Sequence, residues 1–317
     1  MDDSYLLISP CRNEADFMVN TLESVVSQSL MPTKWIIVDD GSTDGTSEIL
    51  RQYSEQYDFI QIVTRDNRGH RSVGPGVIEA FYTGLRAVNL NDYEYLCKLD
   101  LDLDLPTTYF ETLVSKMKVN PRIGTCSGKP YNQRDGRLVS EKRGDEMSVG
   151  MTKFYRVSCF QQIGGFVSEV MWDAIDCHRC RQLGWIACSW DDPELRFVHL
   201  RVMGSSQDNV YKGRMRHGYG QYFMGTGIVY MFATSVYRML HPPYVLGGVA
   251  MFWGYLKSAG KRLPLYRDKE LRRFINAYQW RCLLFGKHKA TELLDKKQMS
   301  VWKQSEQDVG IGVGLKG

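Results

Sequence analysis

Short apolar runs alternate with segments of helical periodicity along roughly the first 120 residues of the chain. Runs of four or five apolar residues predict strands, whereas apolar residues three or four positions apart predict helices with one buried face. This alternation is typical of a mostly parallel sheet that helices cover on both faces, so we predict an α/β fold. The predicted strands are residues 5–8, 35–38, 59–63 and 95–99, and the predicted helices contain Met18, Leu22, Val25 and Val26, then Ile49, Leu50 and Tyr53, then Ile78, Phe81, Leu85 and Val88, and finally Phe110, Leu113, Val114 and Met117.

The last of these helices is predicted to begin near Thr108. Thr108 and Glu111 have the spacing of a capping box, in which each side chain accepts a hydrogen bond from the backbone of the other residue. We therefore expect both side chains to form hydrogen bonds with the backbone at the start of the helix.

Polar clusters follow three of the predicted strands. They are residues 9–14 (SPCRNE), residues 39–46 (DDGSTDGT) and residues 100–104 (DLDLD). In parallel α/β sheets, ligands bind beyond the carboxyl ends of the strands. We therefore expect the three clusters to converge on one edge of the sheet.

The third cluster alternates aspartate with leucine. Because strand side chains repeat every two residues, Asp100, Asp102 and Asp104 are predicted to lie on one face of a strand that runs out into solvent. Such a row repels itself, and it persists most easily where a divalent cation neutralises it. The alternative is a strand edge made soluble by its charges.

Composition is that of an ordinary globular protein. The chain has 317 residues, of which 43% are hydrophobic and 24% charged, enough for one large domain and an extension. Its net charge of +4 is too small to indicate a nucleic-acid partner. Eight scattered cysteines and no signal peptide predict reduced thiols in the cytosol. Cys177 and Cys180 have the spacing of a zinc half-site, but a lone pair is more typical of thiols on successive helical turns.

Taken together and in this order, the three clusters resemble the motifs of the family 2 glycosyltransferases. Pro10, Asn13 and Glu14 resemble the opening motif of the family, residues 38–44 (VDDGSTD) the second, and Asp100-Leu101-Asp102 its metal-binding motif. The resemblance covers roughly the first two-thirds of the chain. It implies the GT-A nucleotide-sugar-binding fold and a hexosyltransferase that transfers sugar with inversion.

The resemblance also implies roles for the acidic residues. Asp40 would accept a hydrogen bond from the nucleotide base, Asp100 would face the ribose and the metal, and Asp102 would bind a divalent cation, Mn²⁺ or Mg²⁺, that bridges the diphosphate. His199, at the end of another apolar run, would reach back to the metal, although a lone histidine is more often structural. Asp104 has no counterpart in the family.

Other residues of the donor site come from the loops. Pro10, Arg12 and Glu14 would contact the nucleotide-sugar, and Arg12 stands where many members have an aromatic residue that stacks on the base. Its guanidinium could stack or contact phosphate, and the alternative is an ion pair with Glu14. Arg71, in the basic segment 65–71, would supply a cation to the diphosphate.

The resemblance places the catalytic base on a later helix. With the chain aligned on Arg179 and Gly184, Asp173 stands at the base position, and Trp172 replaces the acid that normally precedes it. Asp176, three residues further on, shares the helix face and is the second candidate. For either aspartate, the alternative is a charge that complements the helix dipole.

The carboxy-terminal third is basic and apolar. Residues 212–221 are predicted to form a mobile loop that closes on the diphosphate through Arg214 and Arg216, the alternative being a solvated connector. The apolar stretches 222–237 and 244–256 are too short to cross a bilayer. Their basic flanks favour helices that lie in the membrane interface, and packing against the catalytic domain or a second subunit is the alternative.

These observations predict a catalytic domain over residues 1–200, a basic loop and helical region over 201–302, and a flexible tail over 303–317. The predicted enzyme uses a nucleotide-sugar donor, uridine-linked, and a glycan or lipid-linked acceptor of cell-surface polysaccharide synthesis. It would lie at the cytoplasmic face of the membrane as a peripheral protein, as a monomer or an oligomer. Two alternatives remain. One is a nucleotidyltransferase, although such an enzyme usually has a glycine-rich loop with a lysine after its first strand, and residues 10–14 are not such a loop. The other is a noncatalytic carbohydrate-assembly protein, because Trp172 replaces an acidic residue of the family motif.

Overall fold

The computed structural model describes residues 3–69, 74–134, 136–201, 210–241 and 243–302, which divide between two compact units. The first unit comprises Met1–Ser168 and Ile186–Val202, and the second Glu169–Trp185 and Met203–Gly317. The strands are β1 (Tyr5–Cys11), β2 (Lys34–Asp39), β3 (Ile60–Thr64), β4 (Tyr95–Leu99), β5 (Leu103–Asp104), β6 (Ile123–Ser127), β7 (Lys129–Arg134), β8 (Arg137–Ser140), β9 (Thr152–Arg156), β10 (Ile186–Ser189) and β11 (Arg196–His199). The helices are α1 (Met18–Val26), α2 (Thr46–Gln56), α3 (Pro75–Leu85), α4 (Tyr109–Val119), α5 (Val157–Gln162), α6 (Trp172–Gln182), α7 (Val210–Met224), α8 (Ile228–Met239), α9 (Val245–Gly260), α10 (Lys269–Phe285) and α11 (Lys287–Lys297).

A seven-stranded sheet forms the centre of the first unit, with strand order β10-β6-β9-β4-β1-β2-β3. Strand β9 is antiparallel to its two neighbours, and all other pairs are parallel. All four predicted strands are confirmed as β1 to β4. The apolar residues of β1, β2 and β4 are buried because helices cover both faces of the sheet there, whereas in the edge strand β3 only Ile60 is buried. The predicted α/β fold with a mostly parallel sheet is therefore confirmed.

Aromatic side chains fill the core between the sheet and α4. Tyr5, Phe110 and Phe154 are fully buried, and the ring centroids of Tyr5 and Phe110 lie 5.0 Å apart. The buried Tyr5 hydroxyl donates to the carbonyl oxygen of Leu30 at 2.6 Å. This contact satisfies the one polar atom that burial of Tyr5 would otherwise leave unpaired.

A second, four-stranded sheet has the order β5-β11-β7-β8. Strand β5 pairs with β11 so that His199 lies opposite Leu103. The predicted row of aspartates on one strand face is wrong, because β4 ends at Leu99. Asp100 and Asp102 lie in the bend that follows, and Asp104 is an exposed residue of β5 in the other sheet.

The predicted capping box at the start of α4 is also wrong. Thr108 precedes the helix but makes no side-chain capping bond. Glu111 instead accepts a hydrogen bond from the hydroxyl of Ser29 at 2.6 Å. A contact with a loop 82 residues earlier in the chain has replaced the local one.

Helix α7 replaces the mobile loop that we predicted for residues 212–221, so this prediction is wrong. A Cβ on Gly218 would lie 2.0 Å from the carbonyl oxygen of Met251 in α9, and one on Gly254 would lie 2.2 Å from that of Met215 in α7. The glycines therefore allow two helix backbones to approach closely, and they do not make the segment mobile.

The apolar stretches of the second unit form α8 and α9. Among the residues that the structure describes, no helix is both long enough and apolar enough to span a bilayer. Cys177 and Cys180 are buried on α6, and all eight cysteines of the chain are unbridged. The predicted tail, residues 303–317, lies outside the described residues, and the predicted domain limits stay predictions.

We expect Gly218→Ala to destabilise the protein by about 1–3 kcal/mol, because the added methyl group forces α7 and α9 apart. Gly260→Ala is the matched control, since a Cβ there meets nothing within 4 Å. Thermal denaturation followed by circular dichroism measures both effects. An unchanged melting temperature for Gly218→Ala would show that the close approach of the two helices is not required.

Candidate active site

Backbone-to-side-chain hydrogen bonds join the loops that follow β1 and β2. The backbone N–H of Asn13 donates to Ser42 Oγ at 3.0 Å, and that of Thr43 donates to Asn13 Oδ1 at 2.8 Å. The backbone N–H of Glu14 donates to Thr46 Oγ1 at 2.9 Å. Asn13 has a φ of +54°, a left-handed conformation that asparagine tolerates better than most residues. The first two predicted clusters therefore form one connected surface.

Asp40 lies at the carboxyl end of β2, and two arginines bind its carboxylate. Arg65 Nη1 donates to Oδ1 at 2.9 Å, and Arg68 Nη2 donates to Oδ2. Glu79 accepts from Arg68 Nη1 at 3.1 Å and balances part of this positive charge. Asp40 is buried, and the two guanidinium groups compensate the negative charge of its carboxylate and fix its orientation. Sequence reasoning chose Arg71 in this basic segment, and Arg71 lies outside the described residues.

Arg12 is half-buried beside the same aspartate. It donates from Nη1 to the carbonyl oxygen of Asp40 and from Nη2 to Asn67 Oδ1 at 2.7 Å. Glu14, the alternative partner of Arg12, forms an ion pair with Arg201. Pro10 lies within β1, and its Cα stands opposite Val38 of β2 in the sheet register.

The residues after β4 meet the end of β11. Asp102 Oδ2 lies 3.6 Å from His199 Nε2 and 3.5 Å from Arg201 Nε. On the other side of the imidazole ring, His199 Nδ1 lies 2.7 Å from Glu141 Oε1. Arg201 thus connects Glu14 of the first cluster with Asp102 of the third. The predicted convergence of these clusters is present within the first unit.

The carboxylates after β4 differ in electrostatic environment. Asp100 forms an ion pair with the buried Lys98, yet desolvation and the neighbouring Asp102 raise the pKa of Asp100. Burial would also raise the pKa of Asp102, but His199 and Arg201 outweigh burial and lower it. Burial opposes the charge on His199, whereas Asp102 and Glu141 stabilise it and raise its pKa to about 9. The imidazole is therefore charged at neutral pH and forms a bridge between two carboxylates.

The residues at this edge offer part of a metal site. Within the described ranges, no cluster of three or more His, Cys, Asp or Glu side chains has the arrangement of a complete metal site. The 3.6 Å between Asp102 Oδ2 and His199 Nε2 nevertheless lies within the span of about 4.2 Å that two ligands, each about 2.1 Å from one cation, can have. Carboxylate oxygen and imidazole nitrogen also suit Mn²⁺. The donor set therefore fits a cation that takes further ligands from a bound substrate.

Sequence reasoning missed Glu141 and Arg201. Glu141 is held by Asn132, whose Nδ2 donates to Glu141 Oε1 at 3.1 Å, and a carboxylate on the far nitrogen of a histidine is typical of metal sites. No sequence pattern marks Glu141, because it reaches His199 from the end of a hairpin. Arg201 had a weak signal, as a cation two residues after a candidate metal ligand.

The remaining predicted site residues belong to the second unit. Asp173 is half-buried in the first turn of α6. Asp176 is only 2% exposed, and its Oδ1 accepts a hydrogen bond from the backbone N–H of Cys177 at 2.6 Å. Arg214 and Arg216 lie on α7, where burial lowers the pKa of Arg216. Their catalytic and donor-binding roles stay predictions.

Comparison with known proteins establishes the family. Residues 7–168 match the family model described as glycosyl transferase family 2. The chain therefore belongs to glycosyltransferase family 2, as the three motifs predicted.

A curated relative is the poly-beta-1,6-N-acetyl-D-glucosamine synthase of Staphylococcus epidermidis, which is 31% identical over 138 residues, or 44% of this chain and 31% of that protein. The match thus spans about a third of the length of this relative.

Solved structures are similar over nearly the whole chain. The mannosyltransferase PcManGT from Pyrobaculum calidifontis, in complex with GDP-Man and Mn²⁺, has a TM-score of 0.50 and 16% identity, and the alignment covers 96% of this chain and 87% of that one. S. aureus TarS 1-349 in complex with UDP-GlcNAc has a TM-score of 0.51 and 14% identity, with 96% and 92% covered. At this identity the likeness concerns the fold, and it confirms the predicted GT-A fold.

Replacing Glu141 with glutamine should lower the pKa of His199 from about 9 toward its ordinary value of 6.5 in metal-free protein, because a neutral amide stabilises the imidazolium less. The folded-state pKa of His199 is raised. Its contribution to stability is therefore complete below about pH 6.5 and is lost as the pH rises through about 9. The stability of the Glu141→Gln variant should therefore depend less on pH between about 6.5 and 9 than that of the parent.

An NMR titration of the His199 ring in the presence of a chelator measures this pKa. Glu48→Gln serves as the control, since Glu48 is an exposed residue of α2 that pairs with Arg51. A His199 pKa equal in the parent and in Glu141→Gln would contradict the assigned role of Glu141.

Proposed function

We propose that the protein is an inverting, metal-dependent glycosyltransferase. It would transfer a sugar from a nucleotide-sugar donor, uridine-linked, to a glycan or lipid-linked acceptor in cell-surface polysaccharide synthesis. The observation that carries the proposal is the junction of Glu14, Arg201, Asp102 and His199, which joins the loops after β1, β4 and β11. The names of the relatives, a poly-N-acetylglucosamine synthase and a protein crystallised with UDP-GlcNAc, support the donor and acceptor classes.

The nucleotide would bind over the connected loops after β1 and β2. Asp40 would accept a hydrogen bond from an N–H group of the base, because a carboxylate that already accepts hydrogen bonds from Arg65 and Arg68 still has lone pairs available. Arg12 replaces the aromatic residue common in the family, and its planar guanidinium would contact the base or the ribose-phosphate. Two arginines bound to Asp40 also place positive charge near an anionic ligand.

Asp102 and His199 would hold a divalent cation, Mn²⁺ or Mg²⁺, with Asp100 as a further ligand. The cation would stabilise the negative charge that develops on the nucleoside diphosphate as it leaves. Glu141 would orient the imidazole ring so that Nε2 faces Asp102. Crystallisation of PcManGT with Mn²⁺ supports the choice of metal.

Asp173 would act as the general base. It would take the proton of the acceptor hydroxyl as that oxygen attacks the anomeric carbon, while the electron pair of the breaking bond goes to the diphosphate oxygen. A single displacement of this kind inverts the anomeric centre. We favour Asp173 over Asp176 because Asp176 is nearly fully buried, and a buried carboxylate is less accessible to an acceptor.

A lipid-linked or surface-polymer acceptor would be met at the membrane. We therefore propose that the protein acts at the cytoplasmic face of the membrane as a peripheral protein. The apolar helices α8 and α9 support this location.

Asp102→Ala should weaken donor binding in the presence of Mn²⁺ at least about tenfold, because it removes a metal ligand. Asp173→Ala should bind donor normally and lose about 10²- to 10⁴-fold in turnover, because it removes the base. Isothermal titration with UDP-sugars and an assay of UDP release, run with a panel of donors, measure the two effects separately. Asp104→Ala is the matched control, as this exposed aspartate of the same polar cluster is not part of the proposed site.

Equal turnover in the parent, Asp102→Ala and Asp173→Ala would discard the mechanism. Donor binding by the parent without transfer or hydrolysis of any donor in the panel would favour the noncatalytic alternative. Release of diphosphate from nucleoside triphosphates would favour the nucleotidyltransferase.

A further inference from the structure

The second unit exposes a contiguous apolar face. Phe232 and Val236 of α8 and Val249, Trp253 and Leu256 of α9 line one groove of about 130 Å³, and we call these five residues the α8–α9 face. All five side chains are exposed, Phe232 by 57% and Trp253 by 58%. Large apolar side chains that share one exposed surface indicate an interaction site, whereas isolated ones do not.

Small residues and a few larger ones form the buried side of the two helices, whereas most of their large apolar side chains face outward. Gly248 and Gly254 are buried, and the inner contacts are completed by Met231, Met251 and Tyr255. A helix of an ordinary globular domain shows the opposite arrangement, with its large apolar residues in the core. The outward face therefore requires an apolar environment other than the core of this unit.

Charge identifies the environment. Residues 210–267 contain eight lysines and arginines and no aspartate or glutamate. Lys257 lies in the last turn of α9, and the exposed Lys261 and Arg262 follow it directly. A segment of 58 residues with cationic side chains and no carboxylate is electrostatically complementary to an anionic surface.

The same charge distribution argues against a second copy of the chain as the occupant. Two copies that met through this face would bring together two sets of cations, and this segment offers no carboxylate to pair with them. An anionic bilayer supplies both an apolar interior and negative headgroups. Exposed Trp253, Tyr237 and Tyr244 also suit the headgroup region, where amphipathic rings are favoured.

We infer that the α8–α9 face is the surface by which the protein docks onto an anionic lipid membrane, with both helices in the plane of the interface and the cations after α9 on the headgroups. The inference deepens the proposed peripheral location and rests on it. At 12 and 16 residues, α8 and α9 have the length of interfacial helices. Docking requires neither nucleotide nor metal.

The test is flotation of the full chain with vesicles of phosphatidylcholine alone or mixed with phosphatidylglycerol, at low and high salt. The parent should float with the anionic vesicles at low salt and much less with the neutral ones. A Phe232→Ser/Trp253→Ser double variant should bind at least about tenfold more weakly, because it removes two large insertable side chains. Lys257→Glu/Lys261→Glu should lose the preference for anionic lipid.

Val119→Ser is the matched control, because Val119 is an 84% exposed apolar residue of α4 outside the face. Circular dichroism without vesicles checks that each variant is folded, and donor hydrolysis by the parent tests the proposed nucleotide-sugar chemistry independently of docking. If the parent floats with neither vesicle, membrane attachment and the assigned surface are both wrong. If the double variant floats as well as the parent, only the assigned surface is wrong. The parent could instead dimerise in the analytical ultracentrifuge and bind no vesicles, while the double variant stays monomeric. In that case a second copy of the chain occupies the face, and the inference is overturned.

Discussion

The ion pairs of Arg201 are the contacts on which the arrangement of the site depends. Its guanidinium binds Glu14, in the loop after β1, and lies 3.5 Å from Asp102, in the bend after β4. Arg201 itself lies in the segment that follows β11, the last strand of the unit. Glu14 and Arg201 are separated by 187 residues in the chain. Because both side chains are largely buried, removing Arg201 would take a cationic partner from both Glu14 and Asp102, which is more costly than loss of a surface pair. One side chain thus holds three loops in a common register.

The part of the fold that sequence predicts well is the part governed by local periodicity. Strands β1, β2 and β4 are rich in buried apolar residues because both faces of the sheet are covered there, and the predicted limits of β4 are those observed. Antiparallel β9 and the second sheet carry no comparable signal, since short strands such as Leu103–Asp104 are defined by their partners. The leucines at 101, 103 and 105 are buried, but β4 ends at Leu99, so of the three aspartates only Asp104 lies in a strand.

The same limit applies to the site. The motifs located Asn13, Asp40, Asp100 and Asp102, because residue types at fixed spacing carry their own chemistry. Glu141 reaches His199 across 58 residues, and no pattern along the chain records that meeting. The prediction for residues 212–221 was wrong for a different reason, because their glycine-rich and basic composition is typical of a loop, whereas the segment is part of α7. Glycines are frequent both in mobile segments and in closely packed helices, and only the neighbouring backbone of α9 distinguishes the two cases.

Charge balance at the sheet edge couples the two ligands of the proposed reaction. Cationic side chains of the protein already pair with Glu14, Asp40, Asp100 and Asp102, so a divalent cation must compete with Arg201 and His199 for Asp102. Coordination by His199 also requires loss of the proton that its raised pKa retains. A nucleoside diphosphate brings negative charge that compensates the displaced cations. Under the proposed function, metal and donor should therefore bind with positive cooperativity, because each makes the charge of the other less costly to accommodate.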